Sequence, residues 1–212
     1  MTHLEGRDRT PYPHATIAMR TPSIAALLVS AILMASAANA QDSERAPRVS
    51  ERPVVGTTLR VVEAVTVVRA PFASVAREVL DYARYPDFMR RFRSARVVRR
   101  ERAHTDVYFQ LELPRAMGVV WFLHRMTVIR RGADALEIRG EALSGNLGSV
   151  ETRVIVERGT AADATRLSFS LFGAPVLPVL PATVNSTLRE AVVGAVTLLK
   201  QHIETQVAVH HP

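Results

Sequence analysis

Cysteine is absent from the 212 residues. That absence excludes disulfide scaffolds, thiolate-ligated zinc, iron–sulfur clusters, thiol nucleophiles and anchoring through a lipidated cysteine. Lysine is nearly absent too. Of the 27 basic residues all but Lys200 are arginine, and they face 20 acidic residues, for a net charge of +7. An excess so one-sided, scattered among abundant Ala and Val, reads as an arginine-decorated solvated surface rather than a specific nucleic-acid site. It is compatible with a general attraction to anionic membranes.

Chemical signatures are also missing. The chain has 7 histidines but no H-E-x-x-H, and His210-His211 sits at the end of the chain. His202 and Glu204 are two apart on a helical pattern and do not face together. No G-x-S-x-G elbow, G-x-G-x-x-G or G-x-x-x-x-G-K-[ST] loop occurs. No metal, cofactor or serine nucleophile is therefore expected.

What is present begins with an address. Residues 24–38 form an uncharged apolar run, preceded by Arg20 and followed by Ala38-Asn39-Ala40. A charged flank, an apolar stretch and an A-x-A site make a secretory signal with cleavage after Ala40. The run, about 15 residues, is short of the roughly 20 that span a bilayer. Met19 is an alternative start, and an uncleaved N-terminal membrane anchor is the alternative reading. The expected location is thus periplasmic or secreted. Residues 41–56 mix charge, Pro and Ser without a period and read as a flexible linker. The folded domain is expected over 57–206, with a frayed tail at 207–212.

Within the domain, periodicity predicts strand, helix, six strands, helix. Residues 58–68 are rich in Val and Thr, a strand signal. Pro71 then suits the first turn of a helix carrying Phe72, Val75, Val79, Leu80 and Ala83 at helical spacing. Pro86 opens a second short helical turn bearing Phe88, Met89 and Phe92. Strands are expected at 93–101, 105–113, 119–130, 135–142, 148–157 and 165–172, joined by short turns. Period-two alternation and short links argue an antiparallel meander with one wet and one buried face. The apolar, proline-broken segment 173–181 follows. Val184, Leu188, Ala191, Val192, Ala195, Val196, Leu199 and Ile203 then repeat along one face of a long helix.

This order resembles the START-like helix-grip superfamily (SRPBCC), and within it the polyketide cyclase/dehydrase and coenzyme Q-binding branch. The carrying residues are Val65-Thr66-Val67-Val68-Arg69-Ala70-Pro71-Phe72-Ala73-Ser74-Val75 at the first strand–helix junction. Tyr82-Ala83-Arg84-Tyr85-Pro86-Asp87-Phe88 supplies the aromatic-Pro turn after the first helix. The resemblance covers about residues 58–205. It implies an α+β fold in which a curved seven-stranded antiparallel sheet grips the long C-terminal helix, with an apolar cavity between them. Members bind lipids, sterols, quinones or polyketides, and a minority are enzymes.

The cavity candidates are Phe88, Met89 and Phe92 on one lip and Leu177 on the other, within 173–181. Inside are Phe109, Leu111, Phe122, Leu136, Val154, Phe169, Leu188, Val192 and Val196. Trp121-Phe122-Leu123-His124-Arg125 adds two ionisable groups whose side chains alternate. One of His124 and Arg125 must face the helix, and the strand pattern leaves open which. A polar group there hydrogen-bonds a ligand carbonyl or phenol, or is satisfied by a neighbour. Three functions stay open: an exported carrier of a small hydrophobic ligand, a cyclase/dehydratase-like enzyme using His124, and a closed interaction domain without a ligand. The 173–181 lip is a further expectation, as a site of transient membrane contact.

Overall fold

The computed structural model describes residues 46–113, 118–161, 163–176 and 179–210. The signal, its cleavage site after Ala40 and the lip residue Leu177 lie outside the described residues. So does the start of the linker.

The first expected strand is β2, Arg60–Val68, which buries Val62, Ala64, Thr66 and Val68 at every second position. Pro71 opens α1, Phe72–Leu80, its carbonyl accepting the N–H groups of Ser74 and Val75. The helix stops short of Ala83 because Asp81 leaves helical backbone geometry (φ −87°, ψ 66°). A 3-10 turn, Tyr82–Arg84, and a one-turn helix α2, Tyr85–Phe88, follow, with Pro86 in the first turn of α2. Six strands come next: β3 Phe92–Arg100, β4 His104–Glu112, β5 Val119–Arg130, β6 Ala135–Gly145, β7 Ser149–Arg158 and β8 Thr165–Ala174.

The sheet has eight strands rather than seven. The added one, β1 Arg48–Pro53, lies in the segment expected to be a flexible linker and pairs antiparallel with β2. Its sequence, Arg-Val-Ser-Glu-Arg-Pro, has one apolar residue besides Pro53, so propensity gives no strand signal. Long-range contacts hold it: Val49 packs beside Val62 and Ala64, and Glu51 pairs with Arg60 and Arg189. Arginines and a terminal proline suit an edge strand. The order is β1-β2-β8-β7-β6-β5-β4-β3, antiparallel throughout, so β2 joins the meander beside its last strand.

Helix α3, Pro181–His210, lies against β2 and β8. Leu188, Val192, Val196, Leu199 and Ile203, spaced three or four apart, are buried along it. At roughly 1.5–3 kcal/mol for each buried aliphatic side chain, packing rather than propensity holds this helix in place. Polar clamps fix both its ends to β2. Asn185 accepts the Arg60 N–H (3.0 Å) and donates to the Thr58 carbonyl (3.3 Å). Lys200 donates to the Val67 carbonyl (2.5 Å), and Glu204 accepts the Arg69 N–H (2.8 Å). The helix runs past Gln206 to His210 because Val207 still packs against the core, so the expected frayed tail is largely helical.

Candidate functional site

The buried side chains form two clusters. One gathers around α1, the α2 turn and the middle of the sheet; the other joins β2 to Leu188, Val192 and Val196 of α3. A cavity of about 220 Å³ is lined by members of both. Its volume falls below the ~300–1,000 Å³ of pockets for drug-sized ligands. As it stands it suits a one- or two-ring compound rather than a two-chain lipid.

Strand alternation fills the lining. β4 contributes Phe109 and Leu111, β5 Val120, Phe122, His124 and Met126, β7 Val150, Thr152 and Val154, and β8 Leu167, Phe169 and Leu171. Met89 and Phe92 enter from the α2–β3 junction, and Leu188, Ala191, Ala195, Val196 and Leu199 from α3. Tyr85 closes one end: its hydroxyl donates to the Val79 carbonyl (2.6 Å), and its ring lies edge-on to Phe92 and parallel to Phe109. Burial pushes the Tyr85 phenol well above its ordinary pKa, so it stays neutral. Arg91 and Glu112 reach the lining too, but each has an ion partner, Glu190 at 3.5 Å and Arg93 at 2.6 Å.

The parity of β5 is settled. His124 faces inward and Arg125 outward. His124 is 1% exposed, with Phe122 and Phe109 as ring neighbours. Its Nε2 lies 3.0 Å from Thr152 Oγ1, whereas Nδ1 is buried with no partner. Desolvation lowers its pKa from 6.5 to about 4, so the imidazole is neutral at pH 7.

The His124–Thr152 contact spans three strands, and the residue between them on β6 is Gly140. A side chain at that position would collide with both His124 Nε2 and Thr152 Oγ1. Glycine in a strand interior marks such a close approach.

Several expected site residues lie elsewhere. Arg125 is removed from the cavity: on the outer face it forms two parallel hydrogen bonds with Asp106, at 2.9 and 3.0 Å. That contact holds the Asp106 carboxyl below its ordinary pKa. Phe88 is absent from the lining because its ring stacks on His202 of α3 at 4.0 Å. Leu136 and Val192 are fully buried core residues that do not line the cavity. Met89, Phe92, Phe109, Leu111, Phe122, His124, Val154, Phe169, Leu188 and Val196 are brought together around it. Thr152 was not singled out by the sequence reading, although it alternates in phase with Val150 and Val154. Tyr85, Met126 and Gly140 were also passed over.

The outer face of the sheet carries a second polar cluster. Glu137, 1% exposed, is bound by Arg131, Arg139 and Arg153. Burial alone would raise its pKa, but the three guanidinium partners bring it down to about 2. With every partner a structural cation, this cluster ties β6 to β7 and the β5–β6 turn. Among the described residues no three His, Asp or Glu gather as a metal site, and no helix is long and apolar enough to cross a membrane.

Three solved structures place this architecture. The STAR-related lipid transfer protein from Xanthomonas axonopodis is similar, with a TM-score of 0.66 at 15% identity, covering 74% of this chain and 93% of that one. Human StAR-related lipid transfer protein 5 gives 0.67 at 12% identity, covering 88% and 99%. The Zhui aromatase/cyclase from Streptomyces sp. R1128 gives 0.56 at 18% identity, covering 70% and 95%. No family model and no curated protein matches the chain. The chain therefore has the START-like helix-grip fold, as the strand–helix junction and the aromatic-Pro turn implied.

Proposed function

We propose that the chain is a binding protein or carrier for a small, neutral, hydrophobic ligand held between the sheet and α3. The observation that carries this reading is the apolar cavity, into which the described residues bring one uncharged hydrogen-bonding pair, His124 and Thr152. Burial of apolar ligand surface at roughly 25 cal/mol per Å² supplies affinity, and the pair supplies orientation. Lipid transfer proteins and an aromatase/cyclase among the similar structures support a hydrophobic ligand at the level of the fold. The low basicity of His124, with no second unpaired ionisable group described in the lining, favours binding over general acid–base work near pH 7.

Filling the cavity tests the proposal. Ala195 lines it from α3, and Ala195→Phe is expected to weaken binding of the two-ring fluorophore prodan at least tenfold while leaving the fold intact by circular dichroism. Prodan bound equally by the variant would contradict the assigned cavity.

Two further readings belong to the same proposal. Export rests on the charged flank, apolar run and Ala38-Asn39-Ala40; the intact mass of the protein from its native source should correspond to a chain starting at Gln41, and a mass that retains the leader would contradict cleavage. Transient membrane contact through the 173–181 lip rests on the exposure of Val176, Val179 and Leu180 beside a net positive chain, and liposome flotation tests it.

A further inference from the structure

Strand β1 is the element that the helix-grip pattern does not anticipate, and its contacts run toward α3 as well as toward β2. Val49 packs against the cluster that joins β2 to Leu188, Val192 and Val196 of the helix. Glu51, on the same face of the strand by alternation, accepts a hydrogen bond from Arg189 of α3 at 2.9 Å and lies 3.7 Å from Arg60. The next residue of the helix, Glu190, pairs at 3.5 Å with Arg91 of the α2–β3 junction, and Arg91 lines the cavity. Successive residues of α3 are thus tied to two different parts of the domain.

Apart from the Asn185 clamp, little else holds this half of the helix. From Pro181 to Thr187 no residue is buried, and Leu188 is the first that is. Beside Leu188 its cavity face carries Thr187, Ala191 and Ala195, small side chains, so the height of the helix above the sheet sets the room beneath it. The other half is fixed by Lys200 and Glu204 and by buried Leu199 and Ile203. Between the halves stands Gly194. Glycine disfavours a helix interior by about 1 kcal/mol relative to alanine, and a side chain at Gly194 would meet nothing within 4 Å, so packing does not demand it. We propose that β1 is a size-limiting strap: through Val49 and Glu51 it holds the first half of α3 down on the sheet and so restricts the cavity to ligands of one or two rings. Larger ligands enter only from the minor state in which the strap is loose, and their apparent affinity falls with the population of that state. This rests on the binding reading above and assigns its selectivity to residues outside the cavity.

Prodan and laurdan share one naphthalene fluorophore and differ in the acyl chain, short in prodan and long in laurdan. The wild-type full chain should bind prodan about tenfold tighter than laurdan. The double variant Val49→Ser, Glu51→Gln, which removes both contacts of the strap, should bring the ratio down to about twofold by strengthening laurdan, with prodan unchanged. A cross-link tests the same point without disturbing those contacts. The chain has no cysteine, and Arg52 and Val61 are register partners on the outward faces of β1 and β2. Directly opposed residues of antiparallel strands lie within disulfide reach. Oxidising the variant Arg52→Cys, Val61→Cys should abolish the residual laurdan binding and leave prodan as it was, and reduction should restore it. Equal affinity of the wild type for the two probes, an unchanged ratio in the double variant, loss of prodan together with laurdan in that variant at native helix content, or laurdan bound alike by the oxidised and reduced forms overturns the inference. Each of these leaves the binding reading standing, because the wild type still binds prodan. Failure of the wild type to bind either probe overturns the two together.

Discussion

His124 concentrates the energetics of the site. Its buried ring resists protonation, with a pKa near 4 against 6.5 in the unfolded chain. Between those values the unfolded state takes up a proton that the native state refuses. Stability therefore falls as pH drops from 6.5 to 4, by about 3 kcal/mol at 1.4 kcal/mol for each pH step. Thermal melts of wild type and His124→Phe should converge in slope above pH 6.5 and diverge below it, the variant losing less. Parallel profiles would mean that the ring is solvated in the native protein. Whether His124 or Arg125 faces the helix was not legible in the sequence, because β5 is apolar on both sides: Trp121, Leu123 and Ile129 alternate with Phe122, Met126 and Val128. Asp106 on the neighbouring strand decides it by pairing with Arg125. Gly140 was equally silent, since the collision it avoids involves two other strands.

The elements themselves were largely legible. Seven strands and the long helix announce themselves through alternation and helical spacing, because their burial is one-sided and repeats over many residues. β1 did not, because Glu51 and Val49 acquire a reason to be ordered only when β2 and α3 are already in place. The segment between β8 and α3 is the other place where local pattern and tertiary context part. Val176 and Leu180 are 73% and 74% exposed, and nearby prolines keep the stretch from extending the sheet. Val176, Val179 and Leu180, apolar side chains exposed beside a cavity-lining helix, are the residues on which the proposed membrane contact rests. The double variant Val176→Ser, Leu180→Ser should lower association with anionic liposomes severalfold in flotation assays and leave the melting temperature unchanged. Undiminished flotation would remove the lip from the membrane-contact reading.

At the scale of the whole molecule, β1 and β2 extend the sheet beyond β8, α3 lies against β2 and β8, and α1 with the α2 turn packs beside its far end. The polar clamps at Asn185 and at Lys200–Glu204 fix the helix at both ends. Between them small side chains, Ala191 and Ala195, leave room on the sheet-facing side. Clamped ends around a lightly filled middle leave a cavity of about 220 Å³ lined by apolar groups, the space assigned to the proposed ligand. The most direct measurement is to purify the full-length gene product from its native source, extract it with organic solvent, and identify by mass spectrometry what is released. The account predicts a single neutral hydrophobic compound of one or two rings, near one equivalent for each chain. A clean extract from a protein that also fails to bind the two-ring fluorophore prodan would contradict it.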